Sequence, residues 1–268
     1  MIYRVALLFT SLMLFSVIGS ANTDQGSSDM QKPLPPLTLL TENFAPFNYV
    51  EQEQVKGFTV DVVEQILAAT GSAQSRADMQ VLPWASAYQQ GLLRPDTMLF
   101  TLIHTEHRDP LFRWIGPLVP TRVVVIAKRN MEFSAESVED LSGLVIGTVG
   151  QDVGEQLLIE SGFSVRNIVS EDSPKTIVEM LKRNHLNAIA YDDISAFWYL
   201  DHIGEDLNKY EIIYTLQESH QYIGLSRATP KWVEDRLQDA LNQLKYSEKY
   251  RQLISQYPVI EHALYPNN

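Results

Sequence analysis

Strand-like and helix-like segments alternate along almost the whole chain, and this alternation most narrows the folds open to it. Leu37 to Leu40 is a short apolar run, after which Phe58, Val62, Val63, Ile66 and Leu67 recur at helical spacing before Gly71. Arg122 to Ala127 and Leu144 to Val149 are rich in Val and Ile and are predicted to be strands. The second leads into Asp152-Val153-Gly154-Glu155, a capping-box pattern, with Leu157 and Leu158 as the apolar face of the helix it opens. Ser173-Pro174 begins another helix, with Ile177, Met180 and Leu181 inward and Lys182 and Arg183 in its last turn. The strand Asn187 to Tyr191 follows. Thr229-Pro230 opens a helix carrying Val233, Leu237, Leu241 and Leu244, and a last amphipathic helix surrounds Tyr250, Leu253 and Ile254. Such alternation places helices over largely parallel sheets, an α/β architecture.

The N-terminus reads as a cleavable export signal. Arg4 precedes an apolar run from Val5 to Ile18, and Gly19-Ser20-Ala21 supplies small residues for cleavage, so residues 1–21 form the expected signal peptide. The run is shorter than the roughly 20 apolar residues a membrane span needs. Residues 22–36 are polar with Gly and Pro and lack periodicity, which predicts a flexible leader. With no cysteine, there is neither a lipid-anchored Cys nor a disulfide nor thiol chemistry. A soluble periplasmic protein is expected. About 230 residues then remain, enough for one large domain or two lobes. The formal charge of −12 becomes −13 once Arg4 is removed, and no basic cluster interrupts it, which argues against nucleic-acid binding.

Candidate site residues cluster in a few short segments. Thr105-Glu106-His107-Arg108 places one arginine on a turn downstream of aromatic and apolar residues. Its guanidinium offers a planar fork for a carboxylate, although an isolated arginine is more commonly solvated or ion-paired. The histidines His104, His107, His185, His202, His220 and His262 show no HExxH zinc spacing, and no GxSxG elbow is present. His104 and His107 are expected to be solvent-facing turn residues. No metal and no cofactor is expected.

In order and spacing, Thr41-Glu42-Asn43-Phe44-Ala45-Pro46-Phe47, Gly57-Phe58-Thr59-Val60-Asp61, Thr105 to Arg108, Asp140-Leu141-Ser142-Gly143 with Gly147 and Gly150, and Asn187 to Asp192 resemble the bacterial extracellular solute-binding proteins of family 3. These are periplasmic amino-acid receptors of ABC importers. The likeness spans residues 37 to 257, and Leu82-Pro83-Trp84 resembles a divergent branch. It implies a type II periplasmic-binding-protein fold, two α/β lobes joined by a two-segment hinge with the ligand cleft between them. The crossings are placed near Val124 to Arg129 and Gln217 to Ser226, giving lobe 1 as 37–125 with 222–268 and lobe 2 as 126–221. It further implies a monomer that binds a small molecule and docks on ABC permease subunits or a membrane sensor. A dehydratase-like enzyme on the same fold is the rival from another class.

By the same resemblance Phe44 and Trp84 sandwich the ligand, Arg108 clamps an α-carboxylate and Asp192 receives an α-amino group. Core packing is the alternative for both rings, and a helix N-cap is the alternative for Asp192, a task Asp193 also suits. Tyr191 either lines the cleft or packs inward. Thr101 and Thr148, at strand ends, are further candidates. Two departures stand out. Ile103 replaces the usual hydroxyl donor, and Gln151-Asp152 replaces the usual residues at the lobe 2 helix. If Asp152 caps that helix, its carboxylate uses the amides that attract an anion. With Asp152 and Asp192 on one cleft, the expected solute is cationic or amine-bearing, or an acid held by Arg108 alone.

Overall fold

The computed structural model describes residues 32–131 and 133–265. The signal peptide and most of the leader lie outside the described residues. Among those described, no helix is long and apolar enough to cross a membrane.

The strands are β1 (Thr38–Thr41), β2 (Tyr49–Glu51), β3 (Gln54–Lys56), β4 (Met79–Val81), β5 (Thr97–Ile103), β6 (Phe112–Ile115), β7 (Pro120–Lys128), β8 (Ile146–Val149), β9 (Ile168–Glu171), β10 (Ala188–Asp192) and β11 (Tyr210–Ser226). The α-helices are α1 (Phe58–Ala69), α2 (Trp84–Leu93), α3 (Val153–Glu160), α4 (Pro174–Lys182), α5 (Asp193–His202), α6 (Lys231–Lys245), α7 (Glu248–Ile254) and α8 (Pro258–Leu264). Strands β1, β4 and β5 are parallel to one another, as are β8, β9 and β10. Their near-continuous apolar runs follow from burial on both faces: all seven residues of β5 are buried, as are Val123 to Ala127 of β7.

The long strand β11 joins the two groups. Its first part, Tyr210 to His220, pairs with β7, which itself pairs with β10. From Gln221 onward it pairs with β5 and β6. The partner change at His220/Gln221 lies inside the segment expected to cross between lobes. The other crossing falls earlier than expected. Val123 to Ala127 are already laddered to β10, so the chain passes from one sheet region to the other ahead of Pro120, and residues 120–125 belong with the second region. Hydrogen bonds from Leu118 N–H to the Gln221 carbonyl and from Gln221 N–H to the Val119 carbonyl tie the two passages together.

The helix signals translate into packing. Val233, Leu237, Leu241 and Leu244 of α6 are buried, Ile177 and Leu181 do the same for α4, and Tyr250, Leu253 and Ile254 for α7. Gly57 at the start of α1 has φ +122°, and a Cβ there would meet the Phe47 carbonyl oxygen at 2.4 Å. Glycine thus lets the helix press against the loop of residues 42–48, which carries part of the site.

Candidate functional site

The sequence-predicted residues converge at the carboxyl ends of the strands. Glu42 and Phe44 follow β1, Trp84 opens α2 after β4, Arg108 follows β5, Gln151 and Asp152 follow β8, and Tyr191 and Asp192 end β10. In α/β folds this end of the sheet is where ligands bind, because loops there are free to vary while the sheet fixes their anchors.

Arg108 is held by its turn. Its amide donates to the Thr105 carbonyl and hydroxyl, each at 3.1 Å. The side chain is only 1% exposed, yet its sole hydrogen bond is a long one of 3.4 Å from Nη1 to the Ile103 carbonyl. Nε and Nη2 have no hydrogen-bond partner. Asp152 Oδ1 stands 3.6 Å from Nη2, near enough to pair charges but beyond a hydrogen bond. The guanidinium carbon lies 5.0 Å from the Trp84 ring centre and 5.2 Å from that of Tyr88, two rings stacked on each other. Tyr88 follows Trp84 by one helical turn, so the two share a face of α2. Sequence reasoning named Trp84 and missed Tyr88, although the spacing of four was available.

Two buried carboxylates share this space. Burial first, and then the Asp152 charge, push the Glu42 carboxyl well above its usual range, opposed only by Arg108. Burial likewise raises Asp152, with Arg108 pulling the other way. The Tyr191 hydroxyl is buried without a partner, and the nearby charges of Glu42 and Asp152 add to the burial that raises it. Phe44 meets the edge of Tyr191 at 5.6 Å and tilts against Phe47 at 5.2 Å. The Glu42 backbone is held by Asn48, whose side-chain amide donates to the Glu42 carbonyl at 2.8 Å.

Several expected residues have other work. The capping box does not form: Asp152 stands at the N-cap of α3 but its side chain makes no capping bond. Glu155 instead accepts the Gln151 amide at 2.6 Å, in a turn where Gln151 takes a left-handed φ of 61°. The carboxylate of Asp152 thereby lies against Arg108, and of the two uses the sequence left open the capping bond is not made. Asp192, by contrast, does cap α5, accepting the Ser195 amide at 2.8 Å, and takes the Thr121 hydroxyl on its other oxygen. Asp193 does not serve as the alternative cap; it pairs with Arg122 at 2.7 Å. Burial, with the adjacent Asp193 charge, lifts the Asp192 carboxyl to about 7. Thr101 donates to Asn48 Oδ1 at 2.7 Å and so steadies the Glu42 loop, while Thr148 bonds Glu155 at 3.4 Å. Ile103 contributes only its carbonyl to Arg108.

The turn histidines stay apart from this cluster. His104 bonds Asp109 at 2.8 Å and packs on Trp114, and His107 is mostly exposed, 3.9 Å from Glu160. Among the described residues no group of His, Asp and Glu is arranged to hold a metal ion.

Direct bonds join the two sides of the cleft. Trp84 Nε1 donates to the Gln151 carbonyl at 2.9 Å, Tyr199 Oη to the Asn43 carbonyl at 3.2 Å and Ser195 Oγ to the Ala45 carbonyl. The rings of Tyr49 and Trp198 meet at 5.4 Å.

Two sheet regions joined through a shared long strand, with a charged and aromatic cleft at their strand ends, define a two-lobed solute-binding protein of the type II periplasmic class. Residues 37–259 match the bacterial extracellular solute-binding proteins, family 3, and the chain belongs to that family. It is a family of binding proteins, as the resemblance in the sequence implied. The arginine-binding extracellular protein ArtP of Bacillus subtilis strain 168 is 22% identical over 199 residues, covering 72% of this chain and 74% of that one. A histidine-bound substrate-binding protein of an ABC uptake transporter from Streptococcus pneumoniae superposes with a TM-score of 0.74 at 13% identity, covering 89% of this chain and 95% of that one. A histidine kinase sensor domain with similarity to periplasmic binding proteins gives 0.72 at 13% identity, covering 82% and 95%.

Proposed function

We propose that this protein captures a small, polar, amine-bearing solute, an amino acid or a related amine, by closing two lobes on it outside the cytoplasm, and that it delivers the solute to an ABC importer. The observation that carries this reading is Arg108: fully buried, with Nε and Nη2 unbonded, in a cleft whose Tyr88 and Tyr191 hydroxyls are unbonded too. Native proteins seldom leave buried donors unpaired, because each costs on the order of 1–3 kcal/mol. Their concentration in one cleft supports a ligand as the missing partner. The arginine- and histidine-binding relatives support nitrogen-rich solutes, and Glu42 and Asp152 give such solutes their counter-charges.

Closure follows from the architecture. A solute touching residues from both strand groups binds the closed form preferentially and shifts the population toward it. We place the hinge at the passages before Pro120 and around His220/Gln221, where β11 changes partners.

Native mass spectrometry of the purified protein tests the reading. One solute of fixed mass per chain, released unchanged and rebinding in calorimetry, is the expected result. Conversion of the solute into a product of different mass would instead make the protein an enzyme.

A further inference from the structure

The chain already supplies a carboxylate to its own arginine. Asp152 arrives from the β8 side with Oδ1 3.6 Å from Arg108 Nη2, and both side chains are nearly sealed from water. A ligand carboxylate approaching that edge of the fork meets Asp152 there. Without a ligand the guanidinium therefore faces a carboxyl of the chain's own, Asp152, while burial favours the protonated form of Glu42. That edge of the fork is matched by the chain's own carboxylate.

Independent of the charges, a hydrogen-bond acceptor is waiting there. The Tyr191 hydroxyl is buried, has no partner, and lies within electrostatic reach of Glu42 and Asp152. An ammonium or guanidinium group donates to a phenol oxygen and a carboxylate together, and the rings of Phe44 and Tyr191 favour a cation beside them. A cation placed between these groups also keeps Glu42 and Asp152 ionised, reversing what burial does to them.

We propose that Asp152 is an internal stand-in for a ligand carboxylate, so that the site prefers organic amines lacking a free carboxylate over the amino acids that correspond to them. The proposal rests on the cleft reading above and adds to it both a specificity-determining residue and a solute class.

Matched pairs isolate the carboxylate: agmatine against arginine, and cadaverine against lysine, each titrated calorimetrically into the wild-type protein and into Asp152→Asn. In the wild type, the decarboxylated member of a pair is expected to bind at least tenfold more tightly. Asp152→Asn keeps the side-chain shape while freeing the guanidinium, and it is expected to reverse the order in that pair. Tighter binding of the amino acid by the wild type overturns the proposal, and so does a ratio unchanged by the variant. The wild-type ratio stands alone if the variant does not fold. If none of the four solutes binds, this proposal falls, whereas the cleft reading falls only if mass spectrometry also finds no bound solute.

Discussion

Arg108 and Asp192 are both buried charges at the carboxyl ends of strands, yet the chain treats them oppositely. Asp192 has a donor on each oxygen, from Ser195 N–H and from the Thr121 hydroxyl. Arg108 has one long hydrogen bond to a carbonyl and two nitrogens with none. The first pattern completes a helix terminus; the second leaves a position for something the chain does not contain. Burial alone does not mark a binding residue. Burial without partners does, because a buried polar group of purely structural use has its hydrogen bonds supplied by the fold.

Replacing each residue should therefore fail in a different way, with the larger effect at Arg108. Arg108→Ala leaves Glu42 and Asp152 buried together without a cation, and unfolding by denaturant is expected to show a loss of roughly 3–5 kcal/mol. Solute binding should disappear with it, since the lobes lose their pairing across the cleft. The complete burial of Arg108 is what makes the loss one of stability as well as of binding. An unchanged midpoint would place Arg108 with the solvated arginines.

Asp192→Asn is expected to act through pH. A carboxyl raised from 3.8 to about 7 holds its proton more firmly in the folded state than in the unfolded one. That contribution to stability is full below pH 4 and is lost as pH rises through 7. Asparagine imitates the protonated form beside Asp193, Thr121, Ser195 and Gln221. The variant should match the wild type at pH 4 and exceed it at pH 8 by on the order of 4 kcal/mol, since each pKa unit is worth about 1.4 kcal/mol. Parallel stability profiles across that range would show that Asp192 is ionised in the fold at little cost.

The sequence disclosed the α/β alternation because each helix had a boundary signal and a period, as with Thr229-Pro230 before Val233, Leu237, Leu241 and Leu244. The 17-residue strand β11 was only partly legible. Its register shifts near Ile212, Thr215 and Tyr222, and each shift breaks the alternation that identifies a strand. Arg108 packs on Trp84 and Phe44 on Tyr191 in the structure, and Tyr88 was recoverable from its helical offset. Asp152 was not. A residue three positions before a glutamate at a helix start reads as a capping box, but Glu155 accepts the amide of Gln151, whose backbone is left-handed, and the Asp152 carboxylate lies against Arg108 instead. That choice depends on a neighbouring φ angle, which residue types alone do not specify.

A crystal structure grown with agmatine tests the central claim most directly. The solute is expected between Glu42, Asp152 and Tyr191, donating to the tyrosine oxygen, with Trp84 and Tyr88 still stacked beside Arg108. A solute seated instead in the separate cavity of about 530 Å³ lined by Arg122, Asp193, His220 and His262, with the Arg108 cleft unchanged, would contradict it.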